Sequence, residues 1–175
     1  MSVVFTELAS PIGPLRLAAR DDTLIRLALG DEGLPPADWR RDDDALAPAC
    51  DQLRAYLAGE RQTFTLPLAP TGSEFQRRVW HALTQIPYGE TISYGELARR
   101  VGQPDAARAV GMANNRNPIA IVVPCHRVVG ADGRLVGFGG GLPRKQWLLQ
   151  HEARHCEFKL TSPLLVSTAT IGQGR

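Results

Sequence analysis

The segment "SYGELARRVGQPDAARAVGMANNRN", residues 93–117, contains two helical patterns separated by a tight turn. Ser93, with an acidic residue three positions later, predicts the start of the first helix, and Gly102 predicts its end. A Gln-Pro-Asp turn follows, and Asp105 is the candidate N-cap of the second helix. Two short helices joined by a turn of about three residues are typical of a helix-turn-helix.

The second helix of this pair, residues 106–117, begins with small side chains and a single long cation, Arg108. Small residues let a backbone approach a duplex closely, and one arginine could then project into it with little sequence preference. A helix packed tightly inside its own domain would use alanine and glycine in the same way. Composition alone leaves both interpretations open.

The chain before this pair changes from strand-like to helical patterns. Residues 3–29 hold three apolar or alternating runs separated by turn residues, which predict strands. Residues 45–60 repeat apolar side chains at helical spacing, and Cys50 lies in that stripe as a structural residue. Residues 60–72 are rich in proline and threonine and predict a linker.

These patterns predict an α+β fold with two domains. Residues 1–70 form a small N-terminal α/β domain of antiparallel strands plus a helix, with its linker. Residues 71–155 form a mainly helical, winged-helix-like domain that contains the helix-turn-helix. Residues 156–175 lack a periodic pattern and predict a loose tail.

Charge and composition limit the function classes. Residues 1–70 carry 7 Arg and 11 acidic residues, a net charge of −4, whereas residues 71–175 carry 13 Lys and Arg and 7 acidic residues, a net charge of +6. A basic second part favours a polyanionic partner, although chance asymmetry would give the same numbers. No apolar run reaches the roughly 20 residues of a membrane helix, and no signal peptide pattern is present, so we expect a cytoplasmic protein without a membrane partner.

The three cysteines are too few and too widely spaced to indicate a disulfide framework. The histidines do not pair with them at zinc-site spacings, so we expect no metal site.

The segment "IAIVVPCHRVVGADGRLVGFGGG", residues 119–141, holds the most reactive side chains. Its first five residues predict a buried strand, and "RVVGADGRLVGF" predicts two strands around an Asp-Gly turn. Cys125 is either a buried thiol or a nucleophile. Because neighbouring side chains of an extended segment point to opposite faces, a direct contact of His126 with Cys125 is not expected. His126 would act through the backbone bend after Pro124 or through a bridging water molecule.

A histidine base needs a group that orients it. Glu152 is the candidate, because helical spacing places it on the inward face that Leu148 and Leu149 share. The alternative is that Glu152 forms an ion pair with Arg127 or Arg154.

Three motifs, "IPYGETISYGELA", "AARAVGMANNRNPIAIVVPCHRVVG" and "GFGGGLPRKQWLLQHE", resemble the O6-alkylguanine-DNA alkyltransferase (methylated-DNA–protein-cysteine methyltransferase) family over residues 73–152. The resemblance implies DNA repair by direct reversal of O6-alkylguanine, with O4-alkylthymine as a second candidate substrate. The damaged nucleotide of double-stranded DNA would be flipped into a pocket. Cys125 would then take the alkyl group irreversibly, once per chain, in a monomer that uses no cofactor.

The resemblance also implies a role for each residue at a matching position. Cys125 is the alkyl acceptor, His126 its base through water, Glu152 the group that orients His126, and Asn117 a support for the thiol. Arg108 would fill the gap left in the stack, Tyr94 would help to swing out the nucleotide, and their neighbours on DNA would be Ala106, Ala107 and Asn115. The substrate pocket would comprise Val128, Phe138, Gly139 and Gly140. With these roles, the alanine-rich helix is interpreted as a DNA-contacting helix.

The sequence departs from the family pattern at the pocket. Some members have Tyr-Ser where this chain has Phe138-Gly139, so a hydroxyl contact to the base is missing and bulkier alkyl groups could fit. Two other functions remain as alternatives. A DNA-binding sensor would use alkylated Cys125 to switch transcription, and a cysteine hydrolase would show repeated turnover.

Overall fold

The computed structural model describes residues 2–160, and its N-terminal part is a four-stranded sheet. The strand order is β3-β2-β1-β4. Neighbouring strands are antiparallel except β4, which pairs in parallel with β1. The strands are β1 (Val4–Leu8), β2 (Leu15–Arg20), β3 (Thr23–Leu29) and β4 (Arg40–Arg41).

Helix α1 (Ala47–Leu57) packs on this sheet and buries Leu53 and Tyr56 completely. Alternating apolar residues of the strands supply the opposite side of the same core. The predicted antiparallel strands plus helix are therefore confirmed. The two-residue strand β4, which lies between β3 and α1, was not predicted.

The second part is mainly helical, as predicted, and its helices begin where the capping residues place them. Ser73 accepts from the Gln76 backbone and Gln76 bonds back, which completes a capping box. The Ser93 side chain caps the next helix by accepting from the Glu96 backbone N–H. The helix after it has Ala106 at its N-cap, so the Asp105 cap is wrong. The helices are α2 (Glu74–Leu83), α3 (Tyr94–Arg100), α4 (Ala107–Asn115) and α5 (Leu142–Leu160).

The segment around Cys125 departs from the predicted strands. Residues 119–123 form consecutive tight turns, with Val123 N–H donating to Ile119 O at 3.0 Å. Only β6 (Val128–Val129) forms, and it pairs in parallel with β5 (Ile92–Ser93). The predicted two-strand hairpin is wrong, because β6 is followed by a turn, with Gly133 N–H donating to Gly130 O at 2.9 Å, and residues 134–138 form no strand.

Strand β3 connects the N-terminal sheet to the segment that leads to Cys125 through backbone hydrogen bonds. Leu27 N–H donates to Pro118 O at 2.9 Å, and Ala120 N–H donates to Leu27 O at 3.1 Å. One buried apolar cluster also runs through both parts, from Leu17 of β2 to Leu148 of α5. The two predicted domains therefore share a core.

Helix α5 reaches Leu160, so the first five residues of the predicted tail, 156–160, are helical. The rest of that tail, 161–175, lies outside the described residues. Among the residues that the structure describes, no helix is long and apolar enough to cross a membrane.

Candidate active site

Cys125 lies in a buried 3₁₀ turn, Cys125–Arg127, that begins after Pro124. The residue is 6% exposed. Just before the turn, Ile121 has a φ of 68°, a left-handed conformation that is strained for a β-branched residue. The backbone that leads to Cys125 is therefore compact and strained at Ile121, whereas a straight strand was predicted.

His126 and Glu152 form a buried pair behind this turn, which we call the relay. His126 Nε2 lies 3.0 Å from Glu152 Oε1, and the two side chains are 0% and 1% exposed. His126 Nδ1 is buried and hydrogen-bonds to no other described residue. Since an ionised carboxylate only accepts, Nε2 carries the hydrogen and Nδ1 of the neutral ring is left with a free lone pair.

Glu152 is held by more groups than the sequence predicted. Arg127 Nε lies 3.0 Å from both carboxylate oxygens, and the Tyr56 hydroxyl of α1 donates to Oε1 at 3.1 Å. The two interpretations of Glu152 therefore both hold, since it orients His126 and pairs with Arg127 at once.

The charges in the relay follow from burial and from Arg127. Burial alone would raise the pKa of Glu152, but the hydrogen bonds and charges of His126 and Arg127 lower it to about 2. Burial lowers the pKa of His126, although the hydrogen bond and the negative charge of Glu152 act in the opposite direction. We therefore assign an ionised Glu152 beside a permanently charged Arg127, with a neutral His126 that can accept a proton.

Burial also raises the pKa of the Cys125 thiol, and two polar groups oppose that shift. The first is the side-chain amide of Asn117 and the second is the ammonium of Lys145, whose positive charge favours the thiolate. The thiol thus keeps its proton until a base removes it. The neutral His126 of the relay is suited to act as that base.

Lys145 is completely buried on α5. Its Nζ donates to Val128 O at 2.5 Å and to Val136 O at 3.0 Å, and it lies 5.9 Å from the centre of the Tyr94 ring. This one side chain therefore connects β6 to the loop in front of the thiol.

Two asparagines brace the turn around Cys125. Asn117 Nδ2 donates to Val123 O at 2.7 Å, and its Oδ1 accepts from the Ile119 backbone at 3.0 Å. Asn114 Nδ2 lies 3.4 Å from Cys125 O and is buried. Asn117, for which the resemblance predicts support of the thiol, and Asn114 thus both hydrogen-bond to the backbone of the segment that carries Cys125.

A pocket of about 160 Å³ lies beside Cys125. Its lining brings together six residues that the sequence analysis singled out, namely Asn115, Asn117, Cys125, Phe138, Gly139 and Gly140. Residues 136–140, which we call the pocket wall, close one side. The pocket lining also includes residues of β3, which belong to the N-terminal sheet and were not predicted.

Val128 and Tyr94 lie next to this pocket rather than in its lining. The Val128 N–H donates to Cys125 O, and its carbonyl oxygen accepts from Lys145. The Tyr94 hydroxyl donates to Val136 O at 2.9 Å. Both residues thus hold the surroundings of the pocket in this structure.

The exposed face of α4 runs towards the pocket. Arg108, Met112 and Asn115 follow one another at spacings of four and three residues, so they share this face, and all three are exposed. Asn115 also lines the pocket, while Ala106 and Ala107 are half-buried at the start of the helix. The helix-turn-helix therefore presents an arginine and small residues on the surface that leads to the thiol.

The side chains that the sequence analysis missed are Tyr56, Asn114 and Lys145. Lys145 had a usable signal, because it precedes Leu148 and Glu152 by three and seven residues and shares their inward helical face. Tyr56 had none, since its place in the apolar stripe of α1 says nothing about the partner of its hydroxyl. Within residues 2–160 of the structure, no group of three or more His, Cys, Asp or Glu could hold a metal ion.

Comparison with known proteins places these features in a family. The model described as "6-O-methylguanine DNA methyltransferase, ribonuclease-like domain" matches residues 3–70, and "6-O-methylguanine DNA methyltransferase, DNA binding domain" matches residues 74–154. A methylated-DNA–protein-cysteine methyltransferase of Mycolicibacterium paratuberculosis is 55% identical over 91% of this chain and 98% of its own. One from Methanosarcina acetivorans is 51% identical over 82% of this chain and 94% of its own.

Solved structures agree with the sequence comparison. The crystal structure of Mycobacterium tuberculosis O6-methylguanine methyltransferase superposes with a TM-score of 0.82 at 51% identity, covering 87% of this chain and 94% of that chain. The same protein in complex with DNA gives a TM-score of 0.83. The chain combines a helix-turn-helix with a buried cysteine that lies in front of the relay, and it matches both family models. These features together place it in the class of DNA-binding alkyl acceptors. The chain belongs to the 6-O-methylguanine DNA methyltransferase family.

Proposed function

We propose that this protein repairs DNA by moving the alkyl group of O6-alkylguanine irreversibly onto Cys125. The observation that carries the proposal is the buried Glu152–His126 relay, placed behind a cysteine that opens into a pocket at the end of α4. Family membership supplies the substrate class, and the relay supplies the chemistry.

The transfer is a single displacement. The Cys125 thiol gives its proton through a water molecule to His126 Nδ1, whose lone pair is free because Nε2 donates to Glu152. The thiolate sulfur forms a bond to the alkyl carbon, the carbon–O6 bond breaks, and its electron pair leaves with guanine, which takes up one proton. The reaction includes no step that converts the thioether back to the thiol, so each chain reacts once.

The remaining side chains orient the reactants. Glu152 stabilises the imidazolium that forms when His126 takes up the proton. Asn117 and Lys145 favour the thiolate. Burial raises the pKa of Tyr94, so its hydroxyl keeps its proton. The hydroxyl can donate a hydrogen bond to the leaving base once it gives up its bond to Val136 O.

Double-stranded DNA is the partner that the exposed face of α4 fits. An arginine on a helix with little other bulk can enter the space that a flipped nucleotide leaves in the stack. Ala106, Ala107 and Asn115 would lie against the duplex on either side of Arg108.

The proposal is tested by incubating the protein with duplex DNA that contains one O6-methylguanine and measuring the intact mass. We expect one methyl group per chain, located on the peptide that contains Cys125 and absent from Cys125→Ser. Cys156→Ser is the matched control and should react as the wild type does, since Cys156 is a free cysteine outside the relay. Repeated turnover, or intact damaged DNA with no adduct, would overturn the proposal.

A second experiment tests the role of Arg108. Arg108→Ala should slow the repair of duplex DNA by far more than it slows reaction with a free O6-alkylguanine base, which needs no flipping. Arg154→Ala removes an exposed arginine of α5 and should change neither reaction. Equal losses for both substrates in Arg108→Ala would contradict an intercalating role.

A further inference from the structure

The pocket beside Cys125 is built by both parts of the chain. Cys125 and the pocket wall supply one side, and Arg26 and Leu29 of β3, with Glu32 just beyond, supply another. An alkyl group carried on a flipped guanine would therefore meet side chains of the N-terminal sheet as well as those of the reactive domain.

Leu29 is packed tightly against the pocket wall. A Cβ placed on Gly140 would lie 2.8 Å from Leu29 Cδ1 and 3.2 Å from Leu29 Cβ, distances that only the absence of a side chain permits. Glycine at position 140 therefore makes room for a leucine of the other domain.

The position of Leu29 relative to the thiol is fixed by backbone hydrogen bonds. Two residues earlier on β3, Leu27 exchanges hydrogen bonds with Pro118 and Ala120, which lie in the turns that lead to Cys125. Leu29 thus lies on the same strand that braces the reactive segment, so its distance from the thiol is set by the sheet.

Arg144 ties the pocket wall to the N-terminal sheet a second time. Its Nη1 donates to Gly140 O at 2.9 Å and its Nε donates to Ile12 O at 2.6 Å. Its Nη2 lies 3.0 Å from where a Cβ would stand on Gly13 or on Gly30, and these two residues have φ values of 98° and 88°. The guanidinium therefore fills a space that two left-handed glycines leave free.

We propose that the N-terminal sheet sets the size of alkyl group that the pocket accepts. Leu29 is the specificity-determining side chain, since it lines the same pocket as Cys125 and packs against Gly140. Arg144 is a positioning residue, since it holds Gly140 and the pocket wall against Leu29. This inference rests on the proposed function.

The test compares two duplex DNAs, one with O6-methylguanine and one with O6-benzylguanine, and measures the second-order rate constant of Cys125 alkylation for each by intact mass. Leu29→Ala should raise the benzyl-to-methyl rate ratio by about tenfold, because one pocket contact discriminates between substrates by this order. Leu29→Phe should lower the ratio, because the larger side chain takes up pocket volume that a benzyl group needs.

Leu57→Ala is the matched control, since Leu57 is also partly buried against the same core but lies on α1, away from the pocket lining. It should reduce thermal stability without changing the rate ratio. If Leu29→Ala lowers stability and leaves the ratio unchanged, as Leu57→Ala does, Leu29 is only a packing residue and the inference is overturned.

Arg144→Met keeps the length of the side chain and removes its donors. We expect a raised benzyl-to-methyl ratio, partly restored in Arg144→Lys, while Arg134→Met in the exposed turn should leave the ratio unchanged. An unchanged ratio in Arg144→Met would remove the positioning role. A wild-type protein that does not take a methyl group at all would instead refute the proposed function, so the two failures are distinguishable.

Discussion

The side chains behind Cys125 and the loop in front of it are held in different ways. Behind the thiol, Glu152 is 1% exposed and accepts from His126, Arg127 and Tyr56. In front, the pocket wall is fixed mainly through its backbone, with the carbonyls of Val136 and Gly140 accepting from side chains outside it. The relay has a fixed charge arrangement, whereas the wall can change its side chains without losing its supports.

The largest effect should come from breaking the relay. Glu152→Gln leaves Arg127 as an unpaired buried charge, so we expect unfolding to become easier by about 3 kcal/mol and alkylation to slow by about 100-fold. Denaturant unfolding and the alkylation rate measure the two effects. Glu96→Gln is the control, because Glu96 also pairs with two arginines but on the surface, and it should change little. Equal effects for the two variants would contradict the comparison.

Acid should weaken the relay in a defined pH range. The pKa of Glu152 is lowered from 4.5 to about 2 in the folded protein, so its stabilisation is complete above the unfolded pKa and is lost as pH falls through the folded pKa. The difference corresponds to about 3 kcal/mol. Unfolding free energies between pH 5 and pH 2 should therefore fall more steeply for the wild type than for Glu152→Gln; parallel curves would show that Glu152 titrates normally.

Lys145 belongs to both regions, because it supports the wall and favours the thiolate. Lys145→Met should cost about 2 kcal/mol of stability, since two carbonyls lose a charged donor. It should also raise the pKa of Cys125, so the pH dependence of alkylation should move to higher pH. A stability loss without that movement would mean that Lys145 acts on the fold alone.

A smaller effect is expected from the hydroxyl of Tyr56. Tyr56→Phe removes one donor to Glu152 and should cost about 1 kcal/mol. Tyr88→Phe is an exact chemical match in the same cluster, with ring centres 6.0 Å apart, but the Tyr88 hydroxyl has no hydrogen-bond partner among the described residues. Tyr88→Phe should therefore cost nothing, and a similar loss in both variants would assign the effect to packing.

The smallest effect should come from Gly139 of the pocket wall, in contrast to its neighbour Gly140. A Cβ on Gly139 would approach only Asn115 O, at 3.4 Å, so Gly139→Ala should change stability by less than about 0.5 kcal/mol. Gly140→Ala should cost about 1–3 kcal/mol, because Leu29 must move. Thermal unfolding of the two variants side by side measures this difference, and equal losses would show that Leu29 yields easily.

The sequence predicted those features that depend on near neighbours in the chain. Ser73 and Ser93 cap their helices through residues three positions away, and the spacing of Leu148 and Glu152 gave the inward face of α5. The strand expected at 119–123 is limited to a single β-bridge between Ile119 and Leu27, because the following residues form turns through their own hydrogen bonds and Ile121 has a left-handed φ of 68°. The contacts of Tyr56 with Glu152 and of Leu29 with Gly140 likewise join distant residues, which no local pattern reports.

The packing of the Arg144 guanidinium against Gly13 and Gly30 limits how this sequence can vary. Ile12 and Arg144 are 132 positions apart, yet a side chain at Gly13 or Gly30 would occupy the space that the guanidinium fills. A relative that loses one of these glycines is expected to have a shorter or differently oriented side chain at position 144. A chimera that joins the first half of one protein to the second half of another would combine the glycines of one with the residue 144 of the other. Substitutions at the two ends of the chain are therefore expected to occur together.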